Sequence, residues 1–495
     1  MSRPASATVG EVVAALVGAP YVEELGTLIE GSRVGRRRKH PGWVPLTYVA
    51  LARHFHSANH LDAELTDGLW DELRRAASAR GLADPGPSPY LYAQHAYWRS
   101  RAVDDDAVLA DLLAGFTTLA IEHARESGLL LARGQGSLTH PSPRRTIYGD
   151  GTVVRPIYRQ LEAKVGDEDE WAAGVPDEPG ESRAPGELDE LQASEQTALD
   201  SGDETASAGA GDEEQEASGP VRVDPSAAVY HRHDGAIYGN NFVIVSARHD
   251  TPGSRIVLGI DWVTAPGREA DTAVGLIGRV VQEAGPGIQA VVYDGALMGV
   301  HIDRLMRTSG LVVINKVAAA SRKDGKAVPK RRALARVEHQ VGTRICAHSL
   351  HTEDGQVIDV GLADDGSPKV LAVTRRHQVK RTQRGDGTYR FNVAVEVPCP
   401  KGAFTIWLSP HATGDRDTTP EHVRLIPPGD PDFARLYGMR NDAESFNASF
   451  KRSLLVDRAS SVGWRRQLFD LLGYVVLANS LAWLRLEQSS TALSA

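Results

Sequence analysis

The order of periodicities along the chain predicts an α/β protein: a mixed sheet flanked by helices, with a strand-rich insertion and a separate helical N-terminal domain. Two observations carry this expectation. Up to about residue 160, apolar residues recur at three-to-four spacing in Leu46 to His54 and Leu61 to Ala76, the period of a helix with one buried face. Beyond residue 221 the texture changes to short β-branched runs alternating with amphipathic stretches, in the order β, β, α, β, α, β. At 495 residues the chain exceeds one ordinary core, so two or three domains are expected.

In residues 1–160 the cluster Arg36, Arg37, Arg38, Lys39 and His40 precedes Pro41, and the helices after it have helix-turn-helix dimensions. This makes the region a candidate for holding double-stranded DNA. Further on, Phe242 to Ser246 and Arg255 to Val263 flank the turn-like Asp250-Thr-Pro-Gly-Ser254 and read as a hairpin. An amphipathic helix runs from about Ala270 to Glu283. Ile288 to Tyr293, apolar except for Gln289, suits a strand buried on both faces and ends in Asp294. A helix over Val300 to Arg307 and a short buried strand over Leu311 to Asn315 follow. From about 321 to 413 the chain is basic and strand-rich, which reads as an insertion, and Phe433 to Glu487 is again helical.

The net charge of -9 conceals an asymmetry, because Val165 to Pro220 holds 18 Asp and Glu against one basic residue, Arg183. The rest of the chain carries 54 basic and 46 acidic residues. Rich in Gly, Ala, Ser and Pro, residues 165–220 have too little apolar surface to offset the entropy of ordering, and a disordered linker is expected there. Cys346 and Cys399 lack CxxC or Cys/His spacing, which argues against a disulfide scaffold or a zinc finger. No leader pattern and no run of about 18 apolar residues is evident, so a cytoplasmic protein without a membrane partner is expected. Walker, dinucleotide-binding, nucleophile-elbow and HExxH patterns are absent from the sequence.

Chemistry concentrates in Tyr437-Gly-Met-Arg440-Asn-Asp-Ala-Glu444-Ser-Phe-Asn-Ala-Ser-Phe-Lys451. At helical pitch Tyr437, Arg440, Glu444 and Lys451 fall within about 60° of one another on one face. A carboxylate between two cations and a tyrosine suits a protein that holds a metal with the first and phosphates with the others. A salt-bridged surface face, with Arg440 and Glu444 as an i,i+4 pair, would show the same spacing.

The spacing Y-x2-R-x3-E-x6-K resembles the signature of a large group of bacterial insertion-sequence transposases of the DDE type, and every position matches. The likeness covers roughly residues 221–487, and Val291-Val-Tyr-Asp294-Gly-Ala looks like the strand bearing that family's second aspartate. It implies a ribonuclease-H-like catalytic domain over 221–495. It also implies Mg²⁺ as cofactor, two ions with Mn²⁺ able to substitute, transposon-end and target DNA as partners, and a homodimer on DNA. The implied catalytic and metal-binding set is Asp224, Asp294 and Glu444. Asp224 stands 70 residues before Asp294, with Asp234 as its rival at 60, and the family's Asp-Gly/Ser-Thr is absent around both. Tyr437, Arg440 and Lys451 would hold the DNA-end phosphate, and Trp407 in the insertion would stack on a flipped base or serve as a half-buried strand residue. An inactive, transposase-derived DNA-binding protein and a nuclease that cuts without joining share these features.

If the acidic stretch covers basic surface until DNA displaces it, deleting residues 165–220 tightens DNA binding, measured by fluorescence anisotropy at fixed salt. Unchanged affinity marks it as a tether.

Overall fold

The computed structural model describes residues 7–29, 39–158, 223–232, 235–249, 254–317, 321–323, 326–328, 331–413 and 419–494. The expected linker at 165–220, the cations Arg36, Arg37 and Arg38, and Asp234 lie outside the described residues. The N-terminal helices are α1 (Val9–Gly18), α2 (Pro20–Ile29), α3 (Trp43–His54), α4 (Ala58–Glu64), α5 (Trp70–Arg80), α6 (Tyr92–Ala102) and α7 (Asp106–Glu126). Helix α1 begins in a capping box: Thr8 accepts from the Glu11 N–H, and the Glu11 carboxylate accepts from the Thr8 N–H. In α3 every residue from Trp43 to Arg53 is buried, so it is a central packing helix with no face left for a DNA groove.

The sheet begins before the acidic stretch rather than after it. Strand β1 (Thr146–Val154) precedes residues 158–223, and β2 (Ala228–Arg232), β3 (Gly235–Arg248) and β4 (Arg255–Trp262) follow them. Helix α8 (Glu269–Ala284), β5 (Ala290–Val292), α9 (Gly299–Arg304) and β6 (Val312–Ile314) complete the layer. Strand order is β2-β3-β1-β5-β6, with β4 paired to β3. Strands β1, β5 and β6 are mutually parallel, and β3 runs antiparallel to β1 and β4. The mixed α/β sheet is therefore present, with β1 at its centre. Sequence reading missed β1 because Gly149, Asp150 and Gly151, all turn-favouring residues, interrupt its apolar run.

The stretch between β6 and the C-terminal helices is rich in strands. A hairpin pairs β7 (Ser321–Lys323) with β8 (Lys326–Val328). A four-stranded sheet orders β9 (Arg331–Val341), β10 (Arg344–Glu353), β11 (Gln356–Leu362) and β12 (Pro368–Val373) as β12-β11-β10-β9. A three-stranded sheet holds β13 (Arg375–Gln383), β14 (Tyr389–Val397) and β15 (Phe404–Leu408). Then come α10 (Thr419–His422), α11 (Pro431–Tyr437), α12 (Asn441–Arg452) and α13 (Trp464–Ser494).

The N-terminal helices are not a separate domain: the described residues on both sides of 158–223 form one unit. The join is polar as well as apolar. Fully buried Asn479 on α13 accepts from the Val257 N–H (2.9 Å) and donates to the Val257 carbonyl (2.9 Å), covering the outer edge of β4. It also donates to the Tyr21 hydroxyl on α2 (3.3 Å), which pairs with His123 Nδ1 on α7 (2.8 Å). Burial pushes the Tyr21 hydroxyl well above its ordinary range and the His123 imidazole down to about 4, so both stay neutral. Among the described residues two helical segments, Asp106–Glu126 and Trp464–Gln488, are long and apolar enough to cross a membrane, contrary to the sequence expectation. Within this fold 67% of the α13 window is buried by the protein itself, against 39% for α7.

Asn479→Leu strands the Val257 amide and carbonyl without partners. It should lower stability by about 2–3 kcal/mol in urea unfolding, and a loss below about 0.5 kcal/mol would contradict the bridging role.

Candidate active site

Parallel pairing builds the site. Ile147 lies against Val291 and Tyr148 against Val292, and Asp150 and Asp294 each stand two residues beyond that last pair. Asp294 follows the C-terminal end of β5, where its Oδ1 accepts from the Ala296 N–H (2.9 Å) and turns the chain toward α9. Helix α12 packs across β1, and Arg440, just before it, points back at the strands.

One guanidinium collects the carboxylates. Arg440 Nη2 donates to Asp150 Oδ1 (2.8 Å) and lies 3.8 Å from Asp294 Oδ2, while its Nη1 donates to Glu444 Oε1 (3.0 Å). Asn447, one turn along α12, donates to Asp150 Oδ2 (2.8 Å). Asp150 is therefore buried and clamped through both oxygens, whereas the Asp294 and Glu444 side chains are 33% and 59% exposed. Burial raises the Asp150 carboxyl above its ordinary value; Arg440 opposes this, and Asp294 and Glu444 add to it. The Arg440 guanidinium is held above its ordinary value by Asp150, against the cost of burial.

The two glycines beside Asp150 have a steric reason. They face the other side of β1, where a Cβ on Gly149 would lie 2.6 Å from the Tyr293 ring and one on Gly151 would collide with the Glu269 carboxylate. Glu269, at the start of α8, accepts from Asn241 (2.8 Å) and from the Tyr293 hydroxyl (3.3 Å). Burial raises its carboxyl above the ordinary value, with Asp294 and Asp150 adding to the effect. A fourth acid thus backs the three others through a window that only glycine leaves open, and nothing in its local sequence marks it.

Tyr437, Arg440, Glu444 and Lys451 do not lie on one continuous helix. Instead of one helix the segment is α11, a short 3₁₀ turn over Gly438–Arg440, and α12. Tyr437 stacks on Phe433 (4.8 Å between centroids), with the Arg440 guanidinium 6.0 Å and Lys316 Nζ 5.2 Å from its ring centre. Lys316, just after β6, is a second cation beside Tyr437 that sequence reading overlooked. Lys451 lies half-buried in the last turn of α12.

Asp224 does not join this cluster. Its Oδ1 accepts from the N–H and hydroxyl of Ser226 (3.0 and 2.7 Å), and its Oδ2 from Gln467 (2.7 Å), the Gly463 N–H (3.1 Å) and Asn240 (3.4 Å). Ile244 is the β3 residue opposite Asp150, so Asn240 lies about 13 Å further along the strand. With both oxygens spent on donors, Asp224 ties the chain to the start of α13. The first carboxylate of the cluster is Asp150. The Asp-Gly-Thr triplet sought around Asp224 stands at Asp150-Gly151-Thr152, on the far side of the acidic stretch. Trp407 is 46% exposed on β15, in a different sheet, with Lys380 Nζ 4.5 Å from its ring centre. In the basic insertion, Arg376 is buried in ion pairs with Asp430 and Asp432 and so serves the fold.

Arg440→Ala leaves three carboxylates facing one another and should cost about 2–4 kcal/mol in chemical unfolding, whereas Asp150→Asn, which removes a raised, buried charge, should leave stability unchanged or higher. For Glu269 the raised folded value means stability present at acid pH is lost as pH rises through it. Glu269→Gln should therefore match the parent at pH 4 and melt at a higher temperature at pH 7; equal melting at both would contradict the assignment.

Comparison with protein-family models, with curated proteins and with solved structures finds no match to this chain.

Proposed function

We propose that this chain is a DNA transposase with a ribonuclease-H-like catalytic domain, acting through Asp150, Asp294 and Glu444. The observation that carries the reading is the convergence of these carboxylates, from three separate segments, on Arg440 of the Y-x2-R-x3-E-x6-K segment. The topology supports it: the first acid lies on a central strand followed by a hairpin, and the second at the end of the adjacent parallel strand.

The donor set suits Mg²⁺, a hard cation that prefers carboxylate oxygens and retains waters. Two of the acids are open to solvent and the third is fixed in position beneath them. When bound, Mg²⁺ stabilises the charge that develops on the entering and leaving oxygens of an in-line displacement at phosphorus. The chain's own residues do the positioning. Asn447 fixes the Asp150 carboxylate, and Arg440 offsets the mutual repulsion of the acids. Tyr437, Lys316 and Lys451 provide a hydroxyl and two cations for the phosphate of the DNA end. The reading carries double-stranded DNA as partner, a dimer holding two ends, and a cytoplasmic location.

The decisive experiment is cleavage and strand transfer with Mg²⁺ or Mn²⁺ on DNA bearing the ends of the encoding element. Asp150→Asn, Asp294→Asn and Glu444→Gln should each lower the rate at least about 100-fold while DNA binding persists, and Asp224→Asn should keep the chemistry at the cost of stability. Cutting without joining would make the protein a nuclease. Binding without cutting in the parent would reduce it to a DNA-binding relic.

A further inference from the structure

The insertion holds a second set of ligand-type side chains, far softer than the carboxylate cluster. Its four-stranded and three-stranded sheets meet over a small apolar core, whose buried members among the described residues are Leu350, Val357 and Val397. Beside that core stand His339 on β9, His348 on β10 and Cys399 just beyond β14. His339 pairs with Cys346 and His348 with Val337 across the β9–β10 ladder, so both imidazoles share one face. One nitrogen of each imidazole and the Cys399 Sγ lie within 4.8 Å of one another.

Three features point to a ligand. His339 Nδ1 and His348 Nε2 are buried without hydrogen-bond partners, and the His348 residue is only 7% exposed; an orphaned nitrogen in such a place is costly unless something pairs with it. His348 Nδ1 bonds to buried Asp359 Oδ2 (2.6 Å), and Asp359 Oδ1 accepts from the Ser349 N–H (3.0 Å). This is the outer-shell arrangement that places the proton on Nδ1 and leaves the Nε2 lone pair free for a metal. The Lys401 N–H donates to Cys399 Sγ (3.5 Å), which fixes the sulfur in place beside the two imidazoles. Both imidazoles are steered by Phe404, whose ring centre lies 4.3 Å from that of His339 and 5.0 Å from that of His348.

We propose that His339, His348 and Cys399 bind a zinc-class ion that staples the two sheets of the insertion, with a water completing a tetrahedral shell. Two imidazoles and a thiolate select Zn²⁺ over Mg²⁺, so the site is chemically distinct from Asp150, Asp294 and Glu444 and does not depend on their role. A core this small gains most from such a link, because the ion's binding energy becomes folding energy. The sequence pattern hides the site, since 60 residues separate His339 from Cys399 and only the apposition of two sheets joins them.

The test uses the full chain. After exposure to Zn²⁺ and desalting, one equivalent should remain bound, and Co²⁺ in its place should give a sulfur-to-cobalt charge-transfer band. Cys399→Ser and His348→Gln should abolish the band. Cys346→Ser and the double variant Asp150→Asn/Glu444→Gln should keep it, and Asp359→Asn should weaken Zn²⁺ binding about 10–100-fold. Chelating the metal from the unmutated chain should lower its melting temperature, a readout that needs no variant to fold. Failure to retain Zn²⁺, a band that persists in Cys399→Ser, or melting indifferent to chelation would each overturn the proposal.

Discussion

The guanidinium of Arg440 is the contact on which the centre of this protein depends. Three carboxylates from β1, the end of β5 and α12 approach one another closely enough to repel, and one of them is buried. In a medium of reduced dielectric, such a group of like charges stays together only with a cation at its focus. Arg440 provides that cation with planar, forked geometry that a lysine lacks. Burial first, and the neighbouring acids second, raise the carboxyls of Asp150 and Glu269 above their ordinary values.

Around that focus the fold is arranged to keep β1 in place. It is flanked by β3 and β5, covered on one face by α12, and relieved of side chains at Gly149 and Gly151 so that Tyr293 and Glu269 can press against the other. Asn479 extends the same logic outward by joining the edge strand β4 to α13 and α2. The N-terminal helices therefore act as part of the wall of the sheet layer, and helix α3 is consumed in that packing. The strand-rich insertion is the least self-sufficient part, with a small core and two orphaned imidazole nitrogens. The oxygen-rich and the nitrogen- and sulfur-rich clusters differ in the hardness of their donors, which suits the separate roles proposed for them.

The sequence by itself determined the alternation of strands and helices from Phe242 to Asn315, because burial imposes a period of two on one and 3.6 on the other. It also determined the grouping of Arg440 with Glu444, since helical pitch is local, and the position of Asp294 at the end of an apolar run. Tertiary structure alone decided the rest. It assigned the first carboxylate to Asp150 over Asp224, because pairing between β1 and β5 crosses more than 130 residues, including the whole acidic stretch. It placed Lys316 beside Tyr437, Glu269 behind Gly151, and His339 beside Cys399, contacts made by sheet order and layer packing that no spacing along the chain encodes. Gly-Asp-Gly in a strand looks locally like a turn, and only the Tyr293 ring and the Glu269 carboxylate lying against it explain why the strand needs no side chain there.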